Sequence, residues 1–433
     1  MLQPWKLISL QTIKNIYLPE LDRLERCQKT KRKVKQKSIM KKIMILAAVA
    51  ALALTACAKF ETVKVAVEDE PITFGVYTYN TPMTKVGGEA GAQTDKTLGD
   101  ASKSGFGVFC YYSDNSSNGN ANDYVASPSN FTPNFMWNQQ VKGNGNGTAA
   151  ATAWTYTPVK YWPNERNSTV TSQGIDKLTF FAYAPWVDAT KTTGNVGSET
   201  EGITHVSDYD DTGDPTLTYV IPASSADHVD VLYADATSLK NLTKPNGNAA
   251  VSFPFKHALT RVVFRVQTFI DGVNALNNLD DEGAAVDAAT TVTLTAVNFG
   301  GASIYPSGTL NIATGVWTPG TATTKTFSKT GLSQVVTKTK ADVDGIDITL
   351  IPNGTETSYD VDVVYTVETT DENLAAGKST VTNDIKGTVK LTLEAGKKNI
   401  VDLVLGLYTV KVTANVAEWE DATAVEVDLP ANN

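Results

Sequence analysis

The chain has 433 residues, 42% of them hydrophobic, with 37 Lys or Arg against 46 Asp or Glu, a formal net charge of −9. The first 42 residues hold 12 basic and 3 acidic side chains, which leaves 25 basic against 43 acidic beyond them, a net charge of −18. A surface that acidic excludes nucleic acid and anionic membrane as electrostatic partners.

Residues 1–39 are rich in Lys and Arg, especially from Lys29 to Lys37, and are read as a start assigned too far upstream, outside the native protein. Met40-Lys41-Lys42 then forms a basic n-region, and an uncharged, mostly apolar run of 12 residues follows from Ile43 to Leu54. That length is too short for a bilayer span and suits the h-region of a signal peptide. The run closes on Leu54-Thr55-Ala56-Cys57, a small-residue box ending in cysteine. Residues 40–57 are therefore expected to be a lipoprotein signal peptide, with Cys57 acylated as the first of 377 mature residues. Acyl chains, rather than a basic patch, would supply the membrane attachment. With Cys57 lipidated, Cys110 is left without a disulfide partner and reads as a buried strand residue.

From Phe60 onward alternating, β-branched and aromatic runs replace any helical period. In the first half they are Val63 to Val67, Ile72 to Tyr79, Gly107 to Tyr112, Lys177 to Ala184 and Leu217 to Ile221. Thr260 to Gln267, Thr291 to Phe299, Ile346 to Ile351 and Tyr359 to Val367 follow. The last are Thr388 to Leu393, Asn399 to Leu405, Thr409 to Ala414 and Val425 to Leu429. Asp114 to Asn130 and Lys191 to Gly213 read as loops. Pro245-Asn246-Gly247 marks a turn, and a division there gives segments 58–247 and 248–433, each with strands enough for a sandwich. The fold class is all-β.

Chemistry is sparsely signalled. His205, His228 and His257 share no metal-binding spacing with cysteine or with one another, and no nucleophile elbow, phosphate loop or dinucleotide fingerprint occurs. The chain is read as a non-enzyme without a cofactor. Asp208-Tyr-Asp210-Asp211-Thr-Gly213-Asp214 and Asp342-Val-Asp344-Gly345-Ile-Asp347 resemble the first half of a calcium loop. Both lack the closing Glu and read as solvated acidic turns. Trp137, Trp154, Trp162 and Trp186 suit core anchors better than a sugar platform.

Several local motifs occur together. They are Phe106-Gly-Val-Phe109, Phe135-Met-Trp-Asn-Gln139, Trp154-Thr-Tyr-Thr-Pro-Val-Lys-Tyr-Trp-Pro-Asn164 and Leu178-Thr-Phe-Phe-Ala-Tyr-Ala-Pro185. Phe253-Pro-Phe-Lys-His-Ala-Leu259, Gly396-Lys-Lys-Asn-Ile400 and Val416-Ala-Glu-Trp419 continue the set. In this order they resemble the Bacteroidales fimbrillins, the FimA/Mfa-type subunits of type V pili. The resemblance implies two tandem transthyretin-like β-sandwich domains, a cell-surface location in a fimbrium, a part in adhesion to a host or bacterial ligand, and other fimbrial subunits as partners. It also implies assembly in which a trypsin-like protease removes an N-terminal strand and a strand of the next subunit fills the groove.

On that pattern Ile72 to Tyr79 is the removable strand, with Ile72, Phe74, Val76 and Thr78 on one face. Val425, Val427 and Leu429 are candidate donor-strand plugs, and an ordinary last strand of the same domain accounts for them equally well. The sequence departs from the family at the cleavage site, because no arginine lies between Cys57 and Arg166. Cleavage is expected instead between Lys85 and Val86, with Lys96 and Lys103 as alternatives. A non-polymerising surface lipoprotein, either an anchor or accessory subunit or a glycan binder, is the competing reading.

Overall fold

The computed structural model describes residues 70–78, 95–113, 123–148, 151–163, 176–191, 200–243, 249–270, 290–371, 373–407, 409–418 and 421–422. Cys57, Lys85, Val86, Val425, Val427 and Leu429 lie outside them, as do the upstream segment and the signal. All described residues belong to one compact unit, Asp69–Asn433.

The first strands are β1 (Phe74–Thr78), β2 (Phe106–Ser113), β3 (Met136–Gly143), β4 (Trp154–Thr155), β5 (Lys177–Ala184), β6 (Gly202–Val206), β7 (Thr216–Val220), β8 (Leu232–Ala234) and β9 (Val251–His257). They are followed by β10 (Thr260–Thr268), β11 (Thr290–Ile304), β12 (Ser307–Asn311), β13 (Val316–Pro319), β14 (Thr323–Val336) and β15 (Ala341–Leu350). The last are β16 (Glu356–Thr370), β17 (Lys378–Thr392), β18 (Lys397–Leu405), β19 (Val410–Glu418) and β20 (Asp421–Ala422). One short helix, α1 (Asp95–Leu98), precedes β2. The protein is all-β, and among the described residues no helix is long and apolar enough to cross a membrane.

The first sheet has the order β1-β9-β8-β5-β2-β3-β4. Its central strands β2 and β5 are buried on both faces. Val108, Cys110, Phe180 and Ala182 point into one core with Phe74, Trp162 and Phe253. Phe109, Tyr111, Phe181 and Tyr183 point into a second core on the other side. A strand buried on both faces loses its polar alternation, hence the unbroken apolar runs in β2 and β5. Cys110 is fully buried here, and burial pushes its thiol well above the usual range.

The second core is closed by the sheet β13-β12-β7-β6. The Nε1–H of Trp137 on β3 donates to the Ser207 carbonyl beyond β6 at 2.8 Å, and the Tyr124 hydroxyl donates to Asp214 at 2.8 Å. Gly315, at φ +72°, lies against the Tyr233 ring, where any Cβ would collide. The remaining sheets, β15-β10-β18-β19-β20 and β14-β11-β16-β17, pack over the same continuous core, with Phe264 edge-on to Phe299 at 5.8 Å.

Strand pairing crosses the expected division at 247/248 in both directions. β9 lies after it yet pairs with β1 and β8 in the first sheet. The β12–β13 hairpin, some sixty residues further on by the numbering, pairs with β7. Two local expectations change. Composition predicts a loop over Lys191 to Gly213, but β6 forms within it because β7 offers Ile203 and Val206 a partner and a core. The carboxylate spacing predicts an acidic turn over Asp342 to Asp347, but the segment lies in β15, where Asp347 accepts from both Nε and Nη2 of Arg261.

Charged groups inside this part are paired. Asp402 on β18 is 3% exposed and accepts from Arg265 at 2.7 and 2.9 Å, from Lys340 at 2.8 Å and from Asn415 at 3.2 Å. The carboxylate thereby links β10, β18 and β19 to the β14–β15 turn, and a charge so buried is tolerated because its lone pairs are satisfied.

His228 is 2% exposed and neutral. Its Nδ1 accepts the Thr349 N–H at 2.9 Å, which puts the proton on Nε2 for the Pro222 carbonyl at 3.1 Å. Burial first, with Lys325 adding to it, lowers its pKa from 6.5 to about 4. The unfolded chain therefore binds the proton before the folded one does. The contribution is complete above about pH 6.5 and is lost as the pH falls towards 4. At full size it is about 3 kcal/mol. Denaturant melts between those pH values should show stability falling with acidity, and His228→Asn should flatten that slope.

Candidate functional site

Strand β1 sits at an edge of the first sheet. Among the described residues it pairs only with β9, in parallel, in the register Phe74 with Val251 through Thr78 with Phe255. The Val251 N–H donates to the Thr73 carbonyl at 2.8 Å. The residues just before it are held from the other side by the segment between Tyr156 and Trp162. The Ile72 N–H donates to the Lys160 carbonyl at 2.8 Å, and the Trp162 N–H donates to the Glu70 carbonyl at 3.0 Å. The Tyr156 hydroxyl donates to the Ile72 carbonyl at 2.8 Å.

Alternation then decides what enters the slot. Ile72 is 1% and Phe74 5% exposed, Thr73 between them faces solvent, and Val76 is half-buried. Phe74 meets Tyr156 at 5.0 Å, Phe253 at 5.5 Å and Phe180 at 6.1 Å between ring centroids. Desolvation of the Tyr156 phenol raises its pKa, so the hydroxyl stays a donor to the Ile72 backbone. The slot is thus an apolar cleft lined by aromatic rings, with one open sheet edge, closed by a short strand of the chain itself.

The other expected positions fall as follows. Lys96 on α1 and Lys103 after it are exposed. Asp214 is committed to Tyr124 and, at 3.2 Å, to Asn311. A ring nitrogen of His205 and carboxylate oxygens of Asp208 and Asp211 lie within 4.8 Å of one another. Trp162 is buried, Trp154 stacks edge-on with Phe106 at 5.2 Å, and the Trp186 Nε1–H donates to the Asn138 carbonyl at 3.1 Å. With Trp137 bonded to Ser207, these indoles serve packing and favour the core reading over a sugar platform. The parts of the slot that sequence reasoning missed are Tyr156, Trp162 and Phe253. Two of the quoted family motifs contain them, but nothing in a linear pattern says that residues so far apart line one cleft.

Residues 94–419 match the fimbrillin-like family, and the chain belongs to that family. Among solved structures, the chain is 21% identical to a fimbrial protein from Bacteroides vulgatus ATCC 8482, with 81% of this chain and 99% of that one covered and a TM-score of 0.58. It is 15% identical to a candidate cell adhesion protein from Bacteroides uniformis ATCC 8492, covering 81% and 98%, with a TM-score of 0.41. It is 8% identical to the tip fimbrial protein Mfa3 from Porphyromonas gingivalis, covering 75% and 96%, with a TM-score of 0.26. The likeness to the first bears on fold alone. No curated protein matches the chain.

Phe74→Ala should remove the ring that fills the slot and lower stability by about 3 kcal/mol. Thr73→Ala, on the exposed side of the same strand, should leave the unfolding midpoint within error of the parent. Urea titrations of both variants check the pair of outcomes.

Proposed function

We propose that the chain is a structural subunit of a surface fimbria, exported as a lipoprotein precursor through Cys57 and assembled by strand exchange after proteolysis. Family membership supports the fimbrial role. The observation that carries the assembly route is the position of β1. It is an edge strand, it supplies apolar side chains to a cleft lined by other segments, and it precedes Lys85 in sequence.

Cleavage between Lys85 and Val86 would sever β1 from the body of the fold. Loss of the strand would then expose the slot and leave the β9 backbone groups unpaired on that edge. Both costs are relieved by an incoming extended strand with alternating apolar residues. Val425, Val427 and Leu429, separated by Glu426 and Asp428, have that pattern. Donation from one subunit to the slot of the next is a head-to-tail contact, which propagates as a filament. Its partners are other fimbrial subunits, its place is the outer membrane and then the fimbrium, and it performs no catalysis.

N-terminal analysis by mass spectrometry of protein sheared from cells should find a chain beginning at Val86. Replacing Lys85, Lys96 and Lys103 together by alanine should leave the precursor uncut and abolish the ladder of polymers on denaturing gels. Normal processing of that triple variant would end the Lys85 assignment. Deleting residues 423–433 should abolish the ladder while leaving cleavage intact. A chain that keeps acylated Cys57 on mature surface protein would support the anchor reading instead.

A further inference from the structure

The β6–β7 connection brings together three groups that the fimbrial role does not use. His205 lies on β6, just past a register shift between Ile203 and His205, and Asp208 and Asp211 follow in the turn. Their ligand atoms converge to within 4.8 Å. The turn is anchored on both sides. Trp137 donates to the Ser207 carbonyl, the Gly213 N–H donates to the Phe131 carbonyl at 3.0 Å, and the Asp208 N–H donates to an Asp211 oxygen at 2.8 Å.

A second feature concerns the imidazole alone. The Nδ1 of His205 is buried and has no hydrogen-bond partner among the described residues. The other two histidines are committed: both ring nitrogens of His228 are bonded, and Nδ1 of His257 pairs with Asp230. A buried ring nitrogen without a partner is an uncompensated polar atom, and coordination of a cation through Nδ1 itself would compensate it.

We propose that His205, Asp208 and Asp211 bind a first-row divalent transition-metal ion of the zinc class. One imidazole and two carboxylates are a donor set that Zn²⁺ accepts, with a water completing the tetrahedron. Calcium is disfavoured, because it takes oxygen ligands in larger number; of the other two carboxylates of the run, Asp214 is engaged by Tyr124 and Asn311, and Asp210 is exposed and outside the converging group. Ligands about 2 Å from a tetrahedral zinc stand roughly 3.3 Å apart. Asp211 is exposed, and with one carboxylate oxygen accepting from the Asp208 N–H its other oxygen can close the remaining distance. The bound ion would clip the turn to the end of β6.

The test uses the untagged full-length chain and Zn²⁺, with Ca²⁺ as comparison. Calorimetric titration of the parent should show a Zn²⁺ site that His205→Ala and Asp211→Asn each weaken at least tenfold. Asp211→Asn keeps the side-chain oxygen that accepts the Asp208 N–H, so it preserves the turn. In the proton NMR spectrum the imidazole signal absent from His205→Ala should be the one that shifts or broadens with Zn²⁺. Zinc binding that survives both variants, which would place the ion on Cys27, Cys57 or elsewhere, overturns the proposal. So do an unmoved His205 signal, no binding at all, and Ca²⁺ binding as tight as Zn²⁺.

Discussion

Strands β2 and β5 pair along their whole length and carry large apolar side chains on both faces, Val108 and Phe180 on one side and Phe109 and Phe181 on the other. Each face of that pair must be covered, and burying four aromatic or branched residues at about 1.5–3 kcal/mol apiece makes the covering favourable. The rest of the arrangement follows. One cover comes from β1, the Tyr156–Trp162 segment and their aromatic neighbours. The other comes from β6, β7 and the β12–β13 hairpin, which the chain delivers from well beyond the first sheet. The core of the later strands is continuous with that second cover, so the two halves of the sequence share an interior.

How much of this is legible in a linear sequence depends on whether a strand's own pattern or its neighbour's decides its fate. Tyr359 to Val367 alternates cleanly, and β16 forms there because Tyr359, Val361, Val363, Tyr365 and Val367 all enter the core. β14 is different. Its Thr, Ser and Lys residues are mostly exposed, and it exists because β11 offers a long ladder of backbone partners from Val292 to Ile304. No side-chain period announces such a strand. β9 hides for another reason. Pro254 interrupts the row of backbone donors, although its carbonyl still accepts from Asp235. The half of the slot on β1 was readable from the alternation of Ile72 and Phe74. The half supplied by Tyr156, Trp162 and Phe253 depends on contacts between distant segments, which a local pattern does not encode.

The acidic run after β6 shows the same division. Spacing alone read it as a solvated turn with a weak calcium likeness. The fold separates its members, assigning Asp214 to Tyr124 and Asn311 while gathering Asp208 and Asp211 beside His205. Residue type was visible beforehand, but the grouping of an imidazole with two of the four carboxylates was not.

The parallel pairing of β10 with β18 has a mechanical consequence. Eight consecutive register pairs join them, from Arg261 with Lys398 to Thr268 with Leu405, and the Arg265–Asp402 ion pair crosses the same seam. A pull that enters the chain ahead of β10 and leaves it after β18 draws two parallel strands in opposite directions along their axis. The seam is then loaded in shear, and its hydrogen bonds share the force and must yield together instead of opening one after another from an end. A subunit strung in a fibre under flow would carry tension through its most extensively bonded parallel joint.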